Sequence, residues 1–73
     1  MNFQTVLLQD AAPFAAITLN RPERRNAMNF QMVEELIAAF DALKIREDIR
    51  AVVISGAGDH FCVGGDVNDL QAV

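Results

Sequence analysis

Two short runs rich in strand-forming side chains open the chain. Residues 3–9 and 14–19 are separated by a turn-like break at residues 10–13, which contains Pro13. Proline cannot donate to a strand ladder, so the break separates two elements rather than interrupting one. Two strands joined by so short a link predict an antiparallel hairpin.

From residue 30 the apolar positions recur at helical spacing. One stripe contains Phe30, Val33, Ile37 and Phe40, and it is widened by Met32, Leu36, Ala39 and Leu43. The opposite face carries Gln31, Glu34, Glu35 and Asp41. Asn29 precedes the stripe and can accept hydrogen bonds from the first helical turn. The pattern predicts a helix over residues 30–45.

A third strand is predicted at residues 51–56, where Ala-Val-Val-Ile-Ser-Gly is an almost uninterrupted apolar run. Such a run is typical of a strand buried on both faces. A helix between two strands favours a right-handed crossover to a parallel neighbour. The order is therefore strand, strand, helix, strand, an α/β arrangement, and residues 66–73 could begin a second helix.

Composition limits the size and class of the protein. The chain has 73 residues, 52% hydrophobic and 22% charged, which fits one small globular domain. A domain of this size buries only about 60% of the surface that its unfolded chain exposes, so its core is marginal. The single cysteine excludes an internal disulfide and fits a reducing compartment.

The charge distribution is uneven. The net charge of −4 argues against a nucleic-acid partner. Yet three of the six basic residues, Arg21, Arg24 and Arg25, fall within five positions. This cluster indicates either a local anion site or a solvated loop. The N-terminus lacks a signal-peptide pattern, and no stretch is long and apolar enough to span a membrane. We expect a soluble, cytoplasmic protein.

The segment 59–70, DHFCVGGDVNDL, offers several kinds of chemistry. A metal site would use Asp59, His60, Cys62 and Asp66, but four candidates within eight residues do not match the separated ligand pairs of zinc sites. A nucleophilic Cys62 would need a positioned base, and the one histidine is two residues away. We therefore expect no metal, with His60 at the loop surface and Cys62 as a small packing residue.

Nucleotide loops fit this segment poorly as well. A dinucleotide fingerprint requires Gly-x-Gly-x-x-Gly, and Phe61 stands where the third glycine should be. Two options stay open for Gly64 and Gly65: a plain strand-to-helix turn, or a site where bare backbone N–H groups approach a ligand closely. In the second case the N–H groups could hold a developing oxyanion.

The motifs together resemble a known family. ITLNRPERRNAM (17–28), then a helix, then IRAVVISGAGDHFCVGGDV (49–67) are similar to the crotonase superfamily of enoyl-CoA hydratases and isomerases, in the family's order and over nearly the whole chain. The resemblance implies a spiral of ββα units, assembly as trimers or dimers of trimers, and binding of acyl-CoA thioesters. Coenzyme A enters as part of the substrate, and no separate cofactor is implied.

The resemblance also implies roles for individual residues. Gly65 follows the first glycine of the Phe-Cys-x-Gly motif and would supply one oxyanion-hole N–H. The CoA contacts carry over to Arg24, Arg25, Ala27, Val63, Gly64, Gly65, Asp66 and Val67. Arg24 or Arg25 would meet the phosphates, and the Val63 carbonyl would hold the adenine amino group. Val63 and Gly65 stand where alanine is commoner in the family, and Val63 would narrow the pocket slightly.

Length sets the last expectation. Family members are much longer, so residues 1–73 are expected to form the N-terminal fragment of a single crotonase-like domain. The second oxyanion donor and the acid/base carboxylates would lie beyond Val73. Asp66 is expected to cap or to hydrogen-bond within its loop rather than act as a base. Enoyl-CoA hydratase is the first expectation for the whole protein; isomerase, another lyase or hydrolase, and a non-catalytic binding module stay open.

Overall fold

The computed structural model describes residues 3–66, which form a three-stranded sheet and one α-helix. In chain order the elements are β1 (Val6–Ala11), β2 (Phe14–Leu19), a 3₁₀ turn (Pro22–Arg24), α1 (Phe30–Lys44) and β3 (Ala51–Gly56). The sheet order is β1-β2-β3, with β1 antiparallel and β3 parallel to β2. The predicted hairpin and parallel crossover are confirmed, and the second helix predicted at 66–73 lies outside the described residues apart from residue 66.

The hairpin is tighter than the sequence predicted. Asp10 pairs with Ala15 and Ala11 pairs with Phe14, so β1 continues through residues assigned to the turn. Ala12 and Pro13 alone form the turn, and the peptide bond between them is cis. At the other end, residues 3–5 are not part of the strand. Their prediction as strand was wrong because the N–H groups of Gln4 and Thr5 donate to Glu35 on α1, although the Thr5 carbonyl still accepts from Asn20 N–H.

Glu35 on α1 holds this N-terminal segment. Its Oε1 accepts hydrogen bonds from Gln4 N–H (3.0 Å), Thr5 N–H (2.8 Å) and Thr5 Oγ1 (2.9 Å). Burial acts to raise the pKa of Glu35, but the hydrogen bonds from Thr5, Gln31 and Gln4 outweigh it and hold the pKa below its ordinary value. Glu35 therefore connects two elements and is not simply a solvent-facing residue.

The core lies between the hairpin and α1. Along β2, Ala15, Ile17 and Leu19 are buried, while the residues between them are half-buried, as the two-residue period of a strand requires. Val6 joins them from β1. The helix contributes Met32, Ala39 and Leu43 to the same cluster. The Asn29 side chain caps α1 as predicted, accepting from Met32 N–H at 2.8 Å.

The broad apolar stripe of α1 divides into two faces. Only the side that carries Met32, Ala39 and Leu43 packs on the sheet. The residues of the main predicted stripe, Phe30, Val33, Ile37 and Phe40, are 39–57% exposed. A helix on one sheet face can bury only the side turned towards that sheet. The second apolar side is therefore uncovered by residues 3–66.

Strand β3 is also more exposed than its sequence predicted. Val53 is 56% exposed and Ile54 41% exposed, and only Val52 packs against the core cluster. The prediction that this strand is buried on both faces was wrong for the described part of the chain. The physical reason is position: β3 is an edge strand, and the core cluster is built from the hairpin and α1.

Arg46 joins the start of the β3 segment to the hairpin. Its guanidinium lies 2.9 Å from Asp10 Oδ2 and 2.6 Å from Asp48 Oδ2. The hydrogen bond from Arg46 holds the pKa of each carboxylate below its ordinary value. Because all three groups are solvated, these pairs contribute little to the free energy of unfolding.

Parallel pairing of β2 and β3 determines where the remaining loops meet. Leu19 lies opposite Gly56, so both strands end at the same edge of the sheet. The segments 20–28 and 57–66 therefore leave the sheet side by side. Within residues 3–66, no helix has the length and apolar character needed to cross a bilayer.

Candidate functional site

The two loops that follow β2 and β3 are joined by hydrogen bonds from their first residues onwards. Ala57 N–H donates to the Leu19 carbonyl at 2.8 Å. We call residues 20–28 the arginine loop and residues 57–66 the glycine loop. Their contacts form the candidate site because every predicted site residue within the described part of the chain lies on one of them.

Asn26 is the buried centre of the arginine loop. It is fully buried and has a left-handed backbone, with φ 57°. Its Oδ1 accepts from Arg21 N–H at 2.8 Å, and its Nδ2 donates to the carbonyls of Ala57 (2.9 Å) and His60 (2.6 Å). Asparagine tolerates this backbone conformation better than most residues. One amide side chain therefore closes its own loop and binds it to the other.

The backbone of Met28 holds the glycine loop on both sides of Gly65. Met28 N–H donates to the Gly64 carbonyl, and the Met28 carbonyl accepts from Asp66 N–H, both at 2.8 Å. A planar trans peptide directs its N–H opposite to its C=O. Since the Gly64 carbonyl points at Met28, the Gly65 N–H of the same peptide points away from it. Within residues 3–66 this N–H has no hydrogen-bond acceptor.

Glycine is required at positions 64 and 56 for two different structural reasons. Gly64 has φ 111°, a conformation that residues with side chains rarely adopt, although an added Cβ would meet nothing within 4 Å. Gly56 is needed for space: an added Cβ would overlap the carbonyl oxygens of His60 and Phe61. The glycine loop thus folds back over the end of β3 and then turns at Gly64.

Arg21 and Asp66 form an ion pair between the two loops. Arg21 Nη1 lies 3.2 Å from Asp66 Oδ2 and donates to the Ala27 carbonyl at 2.6 Å. The side chains are 14% and 5% exposed. Arg24 Nη2 lies 3.9 Å from the same oxygen, but its side chain is 47% exposed. Asp66 therefore has the loop-bonding role that its position suggested.

A pocket of about 190 Å³ opens between the loops. It is lined by Arg24, Ala27, Val63, Gly65 and Asp66. All five belong to the set predicted from the sequence, so tertiary structure brings together residues up to 42 positions apart. Small-molecule sites are commonly about 300–1,000 Å³, so this pocket suits part of a ligand rather than a whole cofactor-sized one.

The other predicted site residues lie elsewhere or are not described. Arg25 is exposed, has φ 55° and does not line the pocket. Gly64 is next to the pocket residue Gly65 in the chain, and its carbonyl accepts from Met28 N–H. Val67 is outside the described residues. Sequence reasoning missed Asn26 as the link between the loops and Arg21 as the partner of Asp66. No local signal separates Arg21 from Arg24 and Arg25, because the turn at Pro22–Arg24 decides which of the three side chains faces Asp66.

The side chains first considered for metal or thiol chemistry do not converge in the described region. His60 is exposed. Cys62 is half-buried, packs against the core cluster, and its Sγ lies 3.4 Å from Gly64 N. Within residues 3–66, no three His, Cys, Asp or Glu side chains are grouped as a metal site requires.

A larger cavity, of about 380 Å³, lies at the opposite end of β3. It separates the C-terminal end of α1 from the start of that strand, with Phe40, Leu43, Ile49 and Val52 among its walls. It contains no predicted site residue, and its polar lining includes Arg46, which is bonded to Asp10 and Asp48. The smaller pocket between the loops is therefore the stronger functional candidate.

Known proteins are similar to this chain in sequence and in fold. The family model for enoyl-CoA hydratase/isomerase matches residues 9–73. "Probable enoyl-CoA hydratase EchA14" of Mycobacterium tuberculosis is 41% identical over 70 residues, which cover 96% of this chain and 27% of that protein. The mitochondrial Delta(3,5)-Delta(2,4)-dienoyl-CoA isomerase of Mus musculus is 40% identical over 72 residues, which cover 97% of this chain and 22% of that protein.

A solved structure agrees with the sequence matches. AtuE of Pseudomonas aeruginosa superposes with a TM-score of 0.88 at 45% sequence identity, over 94% of this chain and 27% of that one. The predicted crotonase-like α/β fold is thereby confirmed. The chain spans about a quarter of the length of the relatives that it matches. The 73-residue chain belongs to the enoyl-CoA hydratase/isomerase family.

Proposed function

We propose that the pocket between the arginine loop and the glycine loop binds an acyl-CoA thioester, with Gly65 N–H donating to the thioester oxygen. The observation that carries this proposal is the direction of that N–H: Met28 bonds to the Gly64 carbonyl, so the Gly65 N–H is turned away from the other loop. Gly65 also lines the pocket. An N–H fixed in this way needs no reorganisation when charge develops on a bound oxygen.

The chemistry assigned to this N–H is stabilisation of an enolate. When a proton leaves or joins the carbon next to a thioester, negative charge accumulates on the thioester oxygen. Loss of one such donor typically lowers kcat by about 10²–10³. Asp66 is the one carboxylate in the described lining of the pocket, and it is bonded to Arg21. We therefore assign proton transfer, and a second oxyanion donor, to residues other than those that line the described pocket.

The CoA portion would extend from the pocket along the arginine loop. Arg24 is the better placed cation for the phosphates because it lines the pocket while remaining half-exposed. Arg25 lies at the loop surface, where it would add charge rather than a fitted contact. Ala27, the Val63 carbonyl, Gly64, Asp66 and Val67 complete the proposed contact set, with the Val63 carbonyl facing the adenine amino group.

For the whole protein we propose an enoyl-CoA hydratase, with isomerase as the next candidate. Relatives named as a hydratase and as an isomerase match this portion almost equally well, at 41% and 40% identity. These residues therefore carry what the two share rather than what separates them. Lyase or hydrolase activity, assembly as a homotrimer or hexamer, absence of a separate cofactor, and a cytoplasmic location stay predictions.

Titration calorimetry tests the binding proposal on the 73-residue chain. We expect butyryl-CoA to bind more tightly than free CoA, and NAD not to bind. Gly65→Pro removes the N–H, whereas Gly65→Ala adds a side chain and keeps it. We expect the preference for the thioester to be lost in the first variant and kept in the second. Equal binding of butyryl-CoA and CoA by the unaltered chain, or binding of NAD, would contradict the proposal.

An activity assay separates binding from turnover. Because the described carboxylates include no free base in the pocket, we expect the isolated chain to show no hydration of crotonyl-CoA. The measurement is the loss of enoyl absorbance under conditions where calorimetry shows the ligand bound. Measurable turnover would show that the chain contains its own proton-transfer group.

A second candidate function, a non-catalytic interaction module, is favoured by one observation. Phe30, Val33, Ile37 and Phe40 form an exposed apolar face on α1. Contiguous apolar surface of this kind commonly marks an interface. If the chain acts through this face, Ile37→Asp abolishes self-association or partner binding measured by sedimentation, while acyl-CoA binding is unchanged. A monomeric unaltered chain that binds butyryl-CoA would favour the first proposal.

A further inference from the structure

The ion pair between Arg21 and Asp66 lies next to the proposed oxyanion donor and is the most enclosed charged contact of the two loops. One nitrogen, Arg21 Nη1, contacts both the Ala27 carbonyl and Asp66 Oδ2. The side chains are 14% and 5% exposed, against 35–71% for the pairs formed by Lys44 and Arg46. Its environment distinguishes it from the surface pairs of the same chain.

The residues flanking Gly65 differ in how they are held. Gly64 and Gly65 have no side chains, so packing cannot fix the peptide between them. That peptide is held on one side by Met28 N–H at the Gly64 carbonyl. On the other side, Asp66 N–H bonds to the Met28 carbonyl, and the Asp66 side chain bonds to Arg21. Asp66 is therefore the first residue after the glycines whose side chain anchors the loop.

We infer that Arg21 and Asp66 are positioning residues that set the direction of the Gly65 N–H. The inference rests on the proposed function, in which that N–H meets the thioester oxygen. Without the pair, the distal side of the two glycines would keep the bond between Asp66 N–H and Met28 but would lose its most enclosed side-chain contact. The Gly64–Gly65 peptide would then rotate more freely about the bond between its carbonyl and Met28 N–H, and the direction of its own N–H would be less well fixed.

Arg24 has a different role from Arg21, although both face Asp66. Arg24 is 3.9 Å from the carboxylate and 47% exposed, so its charge remains accessible to a ligand in the pocket. Arg21 is enclosed, and its Nη1 is already bonded to Ala27 and Asp66. The structure thus distinguishes Arg21, which organises the loop, from Arg24, which can attract an anion.

The test compares butyryl-CoA with free CoA on the ¹⁵N-labelled 73-residue chain. In the unaltered chain, butyryl-CoA shifts the Gly65 amide proton downfield and binds about 3- to 10-fold more tightly than CoA, the range expected for one added hydrogen bond. Arg21→Met and Asp66→Asn each remove the amide shift and bring the ratio of the two dissociation constants close to 1. The double variant loses nothing further, because both residues act as one unit.

Asp66→Asn is the variant less prone to a folding defect, because asparagine keeps the shape of the side chain and one oxygen that can accept from Arg21. Arg46→Met is the matched control: it also breaks an arginine–aspartate contact and removes one positive charge, but at the other end of the sheet. It retains both the shift and the preference. A merely structural role would reduce the binding of both ligands equally, leaving their ratio unchanged.

The outcomes separate the two proposals. If the unaltered chain does not discriminate between butyryl-CoA and CoA, the proposed function fails and the positioning inference with it. If the unaltered chain discriminates, and folded Asp66→Asn keeps the full preference and the Gly65 shift, the positioning inference alone is overturned. Loss of the preference in Asp66→Asn, with its retention in Arg46→Met, supports it.

Discussion

Asn26 Nδ2 donates a hydrogen bond to the His60 carbonyl at 2.6 Å, across 34 positions of sequence. The same amide bonds to Ala57, and its oxygen accepts from Arg21 N–H. Asn26 has no exposed surface. Its side chain thus supplies hydrogen bonds between two irregular loops, and the position of the glycine loop depends on these bonds.

Replacing Asn26 with alanine should destabilise the chain strongly. The change leaves one backbone N–H and two carbonyls without their partner, and it places alanine at φ 57°. Each unpaired buried group costs about 1–3 kcal/mol, so we expect a loss of roughly 3 kcal/mol in the free energy of unfolding.

Urea titration followed by circular dichroism measures this loss. Asn20→Ala, at a half-buried position after β2, is the control and should cost under about 1 kcal/mol. A similar loss in both variants would contradict the linking role.

Gly56→Ala tests the close approach of the glycine loop to β3. Its Cβ would overlap two backbone carbonyls, which cannot move aside as a flexible side chain can. We expect a loss of about 3 kcal/mol, the upper part of the range for overpacking. Gly64→Ala is the informative comparison, because it meets no neighbour and carries only the cost of its positive φ, about 1–2 kcal/mol. The melting temperature of Gly56→Ala should be lower than that of Gly64→Ala. The reverse order would count against the packing explanation.

The N-terminal cap of α1 gives a smaller effect. Asn29 accepts from Met32 N–H at 2.8 Å, so Asn29→Ala should cost about 1 kcal/mol. Asn29→Asp keeps an acceptor oxygen and should remain within about 0.5 kcal/mol of the unaltered chain. Urea midpoints of the three proteins provide the measurement. Equal stability of the alanine and aspartate variants would mean that the cap contributes nothing.

Glu35 predicts a pH dependence of stability. The hydrogen bonds from Thr5, Gln31 and Gln4 overcome the effect of burial and place the pKa of Glu35 below its ordinary value of 4.5. A carboxylate with a depressed folded-state pKa stabilises the fold above the unfolded-state pKa and loses that contribution as the pH falls through the folded-state value. Glu35→Gln should therefore cost about 1 kcal/mol at pH 7, after allowance for solvent screening, and less at pH 3.

Unfolding measurements at the two pH values test this dependence. Glu34→Gln removes the same charge from an exposed position one residue earlier and serves as the control. It should change stability little at either pH. A Glu35→Gln deficit that is as large at pH 3 as at pH 7 would show that packing, not ionisation, accounts for the effect.

Local sequence patterns predicted the elements well because their signals are local. The helical spacing from Phe30 onwards and the cap at Asn29 both depend on residues within a few positions, and α1 begins where they indicate. The predicted ends of β1 were wrong because contacts with distant residues decide where the strand begins and ends. Ala11 extends the strand by pairing with Phe14, while Thr5 leaves it because Glu35, 30 residues away, binds its N–H.

The residues that line the pocket were predictable from the sequence, but the residues that hold the two loops together were not. Arg24, Ala27, Val63, Gly65 and Asp66 were all expected from the family resemblance, and the structure places them around one pocket. Nothing in the sequence distinguished Arg21 from Arg24 and Arg25, since the three arginines differ only in which of them the loop turns inwards. That choice depends on the turn at Pro22–Arg24 and on the buried Asn26.

The sequence by itself determined the order of strand, strand, helix and strand, the helix cap, and the family, because periodicity, capping and motif spacing are encoded within short segments. Tertiary structure alone decided that β3 and one apolar side of α1 are exposed, that Arg21 pairs with Asp66, and that the Gly65 N–H turns away from Met28. The reason is physical. Burial, ion pairing and peptide direction depend on which distant segments meet, and here they meet because β2 and β3 run parallel and end together.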